Sequence, residues 1–135
     1  MVVTPVSCIS LHERDKIRVM NLTDDAIALL RTVIQSSWKR GIQSERTYSA
    51  SYEFKLNGNP WSGSSEEANT SRCLVARILR TMLQLGWGLI LTTDITKHET
   101  DKDTMYFKVR FFVNNHSTTY LGFRVLLTFF LWFCL

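Results

Sequence analysis

The sequence predicts an α+β fold, with a small, mostly antiparallel sheet of three or four strands, two helices on one face, and the order (β)-α-β-α-β-β. Three stretches carry that prediction. Residues 49–56 alternate apolar and polar side chains, residues 64–85 repeat apolar side chains at helical spacing, and residues 87–109 read as two apolar arms around a polar loop.

Taken in order, residues 1–14 show no clear period and are expected to form a flexible N-terminal arm. Residues 15–20 alternate weakly, with Ile17 and Val19 on one side, and make a candidate strand. Thr23 has the chemistry of an N-cap, and Asp24 and Asp25 complement the positive end of the helix that follows. Ile27, Leu30, Ile34 and Trp38, with Ala26 and Val33, then recur at helical spacing. Lys39, Arg40 and Gly41 should close that helix, the glycine taking the left-handed cap. Residues 42–46 are read as a connector.

In residues 49–56, Ala50, Tyr52, Phe54 and Leu56 form the buried side of a strand, and Ser49, Ser51, Glu53 and Lys55 its solvated side. Asn57-Gly58-Asn59-Pro60 turns the chain. Ser64 and Glu67 have the spacing of a capping box for the long helix. Leu74, Val75, Ile78, Leu79, Met82, Leu83 and Leu85 fall on its apolar side, and Arg72, Cys73, Arg77, Arg80 and Gln84 on the other. Gly86 ends it. Residues 87–95 and 104–109 form the closing hairpin around a polar loop, 96–103. Leu89, Leu91, Met105 and Phe107 are expected to meet the long helix together with Tyr52, Phe54 and Leu56.

A hydrophobic content of 45% with 21% charged residues is that of a globular domain with a sizeable core. A net charge of +4 permits an acidic partner without requiring one. Cys8, Cys73 and Cys134 are too few and too scattered for a disulfide framework or a zinc site. No secretory signal opens the sequence, so a cytoplasmic or nuclear protein is expected.

These features divide the chain into the arm, a single α+β domain over 15–110, and an atypical aromatic tail over 111–135. The tail holds eight of the sixteen aromatic residues, and Arg124 is its only charged residue. The segment after Arg124 reaches only about 16 Å as a helix, roughly half of a hydrocarbon core. The preferred expectation is intron read-through or an alternative C-terminus. A tail anchor within 120–135 and an ordinary core element are the alternatives.

No motif identifies an activity. Asp94, His98, Glu99, Asp101 and Asp103 crowd one loop but lack the glycine and closing glutamate of an EF-hand. Cys73 lies among Arg72, Arg77 and Arg80, which would favour a thiolate, yet no base stands at a motif distance. No phosphate-binding, serine-hydrolase or zinc-protease signature is present. The expectation is therefore a protein that is not an enzyme, with no catalytic, cofactor-binding or metal residues and no cofactor.

The residues Trp38-Lys-Arg-Gly-Ile-Gln, Tyr52-Glu-Phe-Lys-Leu-Asn-Gly-Asn-Pro-Trp61, Glu66-Glu-Ala, Leu85-Gly-Trp87 and Asp101-Lys-Asp-Thr resemble an animal protein family with no established activity. The resemblance spans roughly residues 24–108 and implies an ordered continuation after the last strand. In element order the domain also resembles the C-terminal domain of bacterial translation initiation factor three, an analogy that does not transfer RNA binding.

The functional expectation is a non-catalytic intracellular module that binds a protein partner through the Trp61 loop, an open strand edge or the uncovered sheet face. The first alternative is RNA or single-stranded nucleic acid held by Arg72, Arg77 and Arg80, with Lys39, Arg40 and Arg46 extending the strip and Trp61 stacking on a base. The second is membrane association through residues 120–135.

Overall fold

The computed structural model describes residues 5–63, 65–94 and 101–110. The elements are β1 (Val6–His12), β2 (Lys16–Met20), α1 (Asp24–Ser37), β3 (Ile42–Tyr48), β4 (Ser51–Leu56), α2 (Ser65–Gln84), β5 (Trp87–Thr93) and β6 (Asp101–Val109). The class is α+β, but the sheet has six strands in the order β3-β4-β2-β1-β6-β5, all antiparallel, rather than three or four. Two segments account for the difference. Residues 6–12, expected in a loose arm, form β1, and residues 42–48, expected as a connector, form β3.

β1 is an inner strand, paired with β2 on one side and β6 on the other. Its alternation is muted because Ser7 shares the helix-covered face with Ile9, while Cys8 and Ser10 are buried on the opposite face. Ser7, Cys8, Ile9 and Ser10 are all buried. β3 lies at the sheet edge and carries polar side chains over most of its length, so it shows no apolar period.

Cross-strand partners fix which side chains share a face. Ile9 pairs with Val19 and Met105, Ile17 with Phe54, and Val19 with Tyr52, so these residues point the same way. They form one core with Leu30, Ile34 and Trp38 of α1 and with Leu74, Ile78 and Met82 of α2. Both helices thus cover one face. The expected stripe on α2 needs correction at Leu83, which is 51% exposed, while Ser71 and Thr81 are buried.

Local signals explain the helix starts better than the stops. Thr23 caps α1, its Oγ1 accepting from the Ala26 amide at 3.3 Å. α1 ends at Ser37, before Lys39 and Arg40, when the Trp38 amide donates to the Ile34 carbonyl at 2.8 Å. Gly41 has φ +71 and donates to the Trp38 carbonyl, so it shapes the turn into β3 rather than capping the helix directly. The proposed capping residue Ser64 lies outside the described residues, as do residues 95–100 of the acidic loop and the whole tail 111–135.

Candidate functional site

Trp61 is fixed by the fold. Its indole N–H donates to the Lys16 carbonyl at 3.1 Å, its amide donates to the Arg14 carbonyl at 3.1 Å, and its ring packs against the core. The same loop is tied to α2, where the Ser71 hydroxyl donates to the Pro60 carbonyl at 2.6 Å. Trp61 therefore closes one end of the core. Replacing Trp61 with alanine should cost roughly 2–3 kcal/mol, less than a fully buried aromatic. Urea unfolding measures this, and a loss below about 0.5 kcal/mol would contradict the packing role.

Arg72, Arg77 and Arg80 are exposed on α2, with Arg72 donating to the Asn69 side chain at 3.0 Å. Trp61 packs inward and these arginines point outward, so the four do not form one surface. Nor does the wider basic strip assemble. Arg40 pairs with Glu67 at 2.5 Å, and Arg46 lies in β3, pairing with Glu53 on the other face of the sheet.

That other face bears no helix among the described residues. Register places Arg46, Glu53, Arg18, Ser10 and Thr104 in one row across it. Glu53 belongs to the face expected to be solvated, yet it is only 2% exposed. Arg18 Nε donates to its Oε2 at 2.6 Å, and Arg46 Nε to its Oε1 at 2.8 Å. Both guanidinium groups also sit against the Tyr48 ring, at 4.2 and 5.1 Å from its centroid. Burial pushes the Glu53 carboxyl upward, but the two arginine hydrogen bonds outweigh it and hold the group below the usual carboxylate range. In the next row Lys16 pairs with Glu13, and Lys55 approaches Asp15 at 3.9 Å. Glu53 is thus shared by two arginines, Lys16 and Lys55 each have an acid nearby, and Lys108 is exposed on the same face.

A second polar cluster braces α1 against the sheet edge. Arg31 Nε donates to both carboxylate oxygens of Glu45, at 2.9 and 2.8 Å, and the Tyr52 hydroxyl donates to Glu45 at 2.7 Å. The hydrogen bond from Arg31 is the main reason that the Glu45 carboxyl is held low.

Ser10 Oγ lies 2.8 Å from His12 Nε2, a contact that the spacing along one strand creates. Ser10 is 3% exposed, so its hydroxyl is shielded from any incoming substrate. Burial also raises the pKa of the Cys8 thiol, which disfavours its reactive thiolate. Cys73 is exposed. Among the described residues, no group of three His, Cys, Asp or Glu could hold a metal ion. No described helix is long and apolar enough to cross a membrane.

The two sheet edges differ sharply. β3 presents Gln43, Ser44, Arg46 and Thr47 to solvent and ties Glu45 and Arg46 into ion pairs. β5 carries no charged residue from Trp87 to Thr93 and exposes Leu89, Ile90 and Leu91 at 49%, 51% and 48%. Leu89 pairs with Phe107 and Leu91 with Tyr106, so Ile90 is the extra residue of a bulge. This corrects the expectation that Leu89 and Leu91 both meet the long helix. No described strand lies beyond β5, so its outer backbone groups have no sheet partner among the described residues. Leu89, Ile90 and Leu91 are the one run of three consecutive exposed large hydrophobic residues among the described residues.

A family model for a domain matches residues 5–108. Among solved structures, the chain is similar to the crystal structure of a conserved kinetoplastid-specific protein from Trypanosoma cruzi, with 16% identity and a TM-score of 0.61. The match covers 80% of this chain and 100% of that one, and it shows a shared fold. No curated protein matches the chain. These findings overturn the resemblance to an animal protein family, which rested on short scattered motifs.

Proposed function

The chain belongs to the domain family whose model matches residues 5–108, and from that premise we propose that it is a non-catalytic protein-interaction module that takes up an extended segment along β5. The observation that carries this reading is the exposed run Leu89-Ile90-Leu91 on an edge beyond which no strand lies among the described residues. Backbone hydrogen bonds would supply the pairing, and apolar side chains of the added segment would pack beside Leu89 on one face of the sheet and beside Leu91 on the other. The contrast with β3 supports it. Charged side chains guard one edge, and β5 carries none.

Displayed random peptides test the proposal with a defined probe. Wild-type protein should enrich segments with apolar residues on both faces of an extended strand, whereas an Ile90→Pro variant should retain them at least about tenfold less well, because proline removes a donor from the edge. Ile90 is half exposed at a bulge, so the variant should keep its fold, as circular dichroism would show. Equal enrichment by the two proteins, or none by the wild type, overturns the reading.

A further inference from the structure

We propose that the sheet face opposite the helices binds single-stranded nucleic acid, a ligand separate from the segment taken up along β5. Register sets Tyr48, Ser51, Met20, Cys8, Tyr106 and Leu91 in one row that crosses all six strands on that face. With strands about 4.8 Å apart, the row is about 24 Å long. Tyr48 stands toward one end at 43% exposure, and Tyr106 is partly exposed on β6. Cys8, beside Tyr106, is short and buried, so no bulky side chain separates that ring from Met20.

Cations flank the row on both sides. On one side lie Arg46 and Arg18, each two residues before a member of the row on its own strand. They share the single carboxylate of Glu53, so the pair keeps one net positive charge and is held in place. On the other side lie Lys108 and Arg110. Lys108 pairs across the ladder with Gly88, and the Arg110 side chain lies over that glycine, where an added Cβ would come within 2.8 Å of the arginine Cδ. Gly88 therefore leaves room for the second cation beside the first. Neither Lys108 nor Arg110 pairs with an acid among the described residues.

This arrangement fits a strand whose bases are splayed. Unpaired bases stack on aromatic rings and on guanidinium planes, while their phosphates need cations beside those platforms. Tyr48, with Arg18 and Arg46 at 4.2 and 5.1 Å from its ring centroid, makes one platform, and Tyr106 makes another. A duplex hides its base faces and an acidic peptide has none. Either would use the cations and leave the row of rings without a partner.

Fluorescence anisotropy with the full chain and a labelled strand of about 12 nucleotides, as RNA and as DNA of one mixed sequence, provides the test. Dissociation constants on the order of 1–100 μM are expected at moderate salt. Log affinity should fall against log salt with a slope of roughly −1.5 to −2, as about two or three phosphates are neutralised. Tyr106→Ala should weaken binding about fivefold or more, and Tyr106→Phe should keep it, because the ring and not the hydroxyl carries the stacking. Lys108→Glu with Arg110→Glu should weaken binding about tenfold or more and flatten the salt dependence. Both residues are exposed, so this variant should keep its fold, as circular dichroism would show. Arg77→Glu changes an exposed cation on α2, across the sheet, and should alter affinity by less than about twofold. Failure to bind either strand at low salt overturns the proposal. So does equal affinity for heparin or for a duplex of the same sequence, which would show a response to charge without bases. A loss with Arg77→Glu as large as that with the Lys108 and Arg110 changes would place the ligand on the wrong side of the sheet and overturn it as well.

Discussion

Removal of residues 1–13 is expected to abolish cooperative folding, although these residues read as a loose arm. β1 lies between β2 and β6, so its loss divides the sheet into β3-β4-β2 and β6-β5. It also removes Ile9, which is 0% exposed and pairs with both Val19 and Met105. Truncating Ile9 to alanine alone should cost about 2–5 kcal/mol, against a typical total stability of about 5–15 kcal/mol. Loss of the whole strand adds the exposed edges of β2 and β6 to that loss. Thermal melts followed by circular dichroism should show a cooperative transition for the full chain and none for residues 14–135. A truncated chain that melts within a few degrees of the parent would show that β1 is dispensable.

The second large effect concerns Glu53. Changing Arg18 and Arg46 together to alanine removes both cations from a carboxylate that is 2% exposed in the intact protein. Stranding a buried charge in this way is expected to cost about 3–5 kcal/mol. The decisive variant also replaces Glu53 with methionine. If the loss arises from the stranded charge, this triple variant should recover most of the stability, because a buried ion network and a well-packed apolar group are often nearly equivalent. A triple variant as unstable as the double one would assign the loss to missing packing of the arginine stems against Tyr48 instead.

The same cluster sets a pH dependence. Glu53 and Glu45 both have carboxyl groups held below the ordinary range in the folded protein. Each contributes stability that is complete above the unfolded-state value and is lost as pH falls through the lower native value. Urea midpoints should therefore decline from about pH 5 downward, and a Glu53→Met variant should decline less steeply. Parallel curves for the two proteins would show that Glu53 does not drive the acid response.

Much of the fold was legible in local chemistry. Thr23 with two following acids marks the start of α1, and alternation from Tyr52 to Leu56 assigns the buried side of β4. The repeat of Leu74, Ile78 and Met82 identifies the buried stripe of α2. Elements without a contrasting pattern were missed. β1 buries small polar residues, and β3 is polar because it borders solvent.

The candidate site was less legible, because it depends on neighbours distant in sequence. Trp61, Arg72, Arg77 and Arg80 stand out by residue type, yet the fold turns the tryptophan inward and the arginines outward. The run Leu89-Ile90-Leu91 reads as core because it is apolar. Its exposure follows from the position of β5 at the end of the strand order.

By itself the sequence determined the α+β class, the two helices and four of the strands, because helical and two-residue periods are local properties of the chain. Only the tertiary structure decided the six-strand order, the burial of Glu53 between two arginines, and which apolar strand was left at the edge. Those outcomes depend on pairings between segments far apart in the chain, and no periodicity within one segment encodes its partner across the sheet.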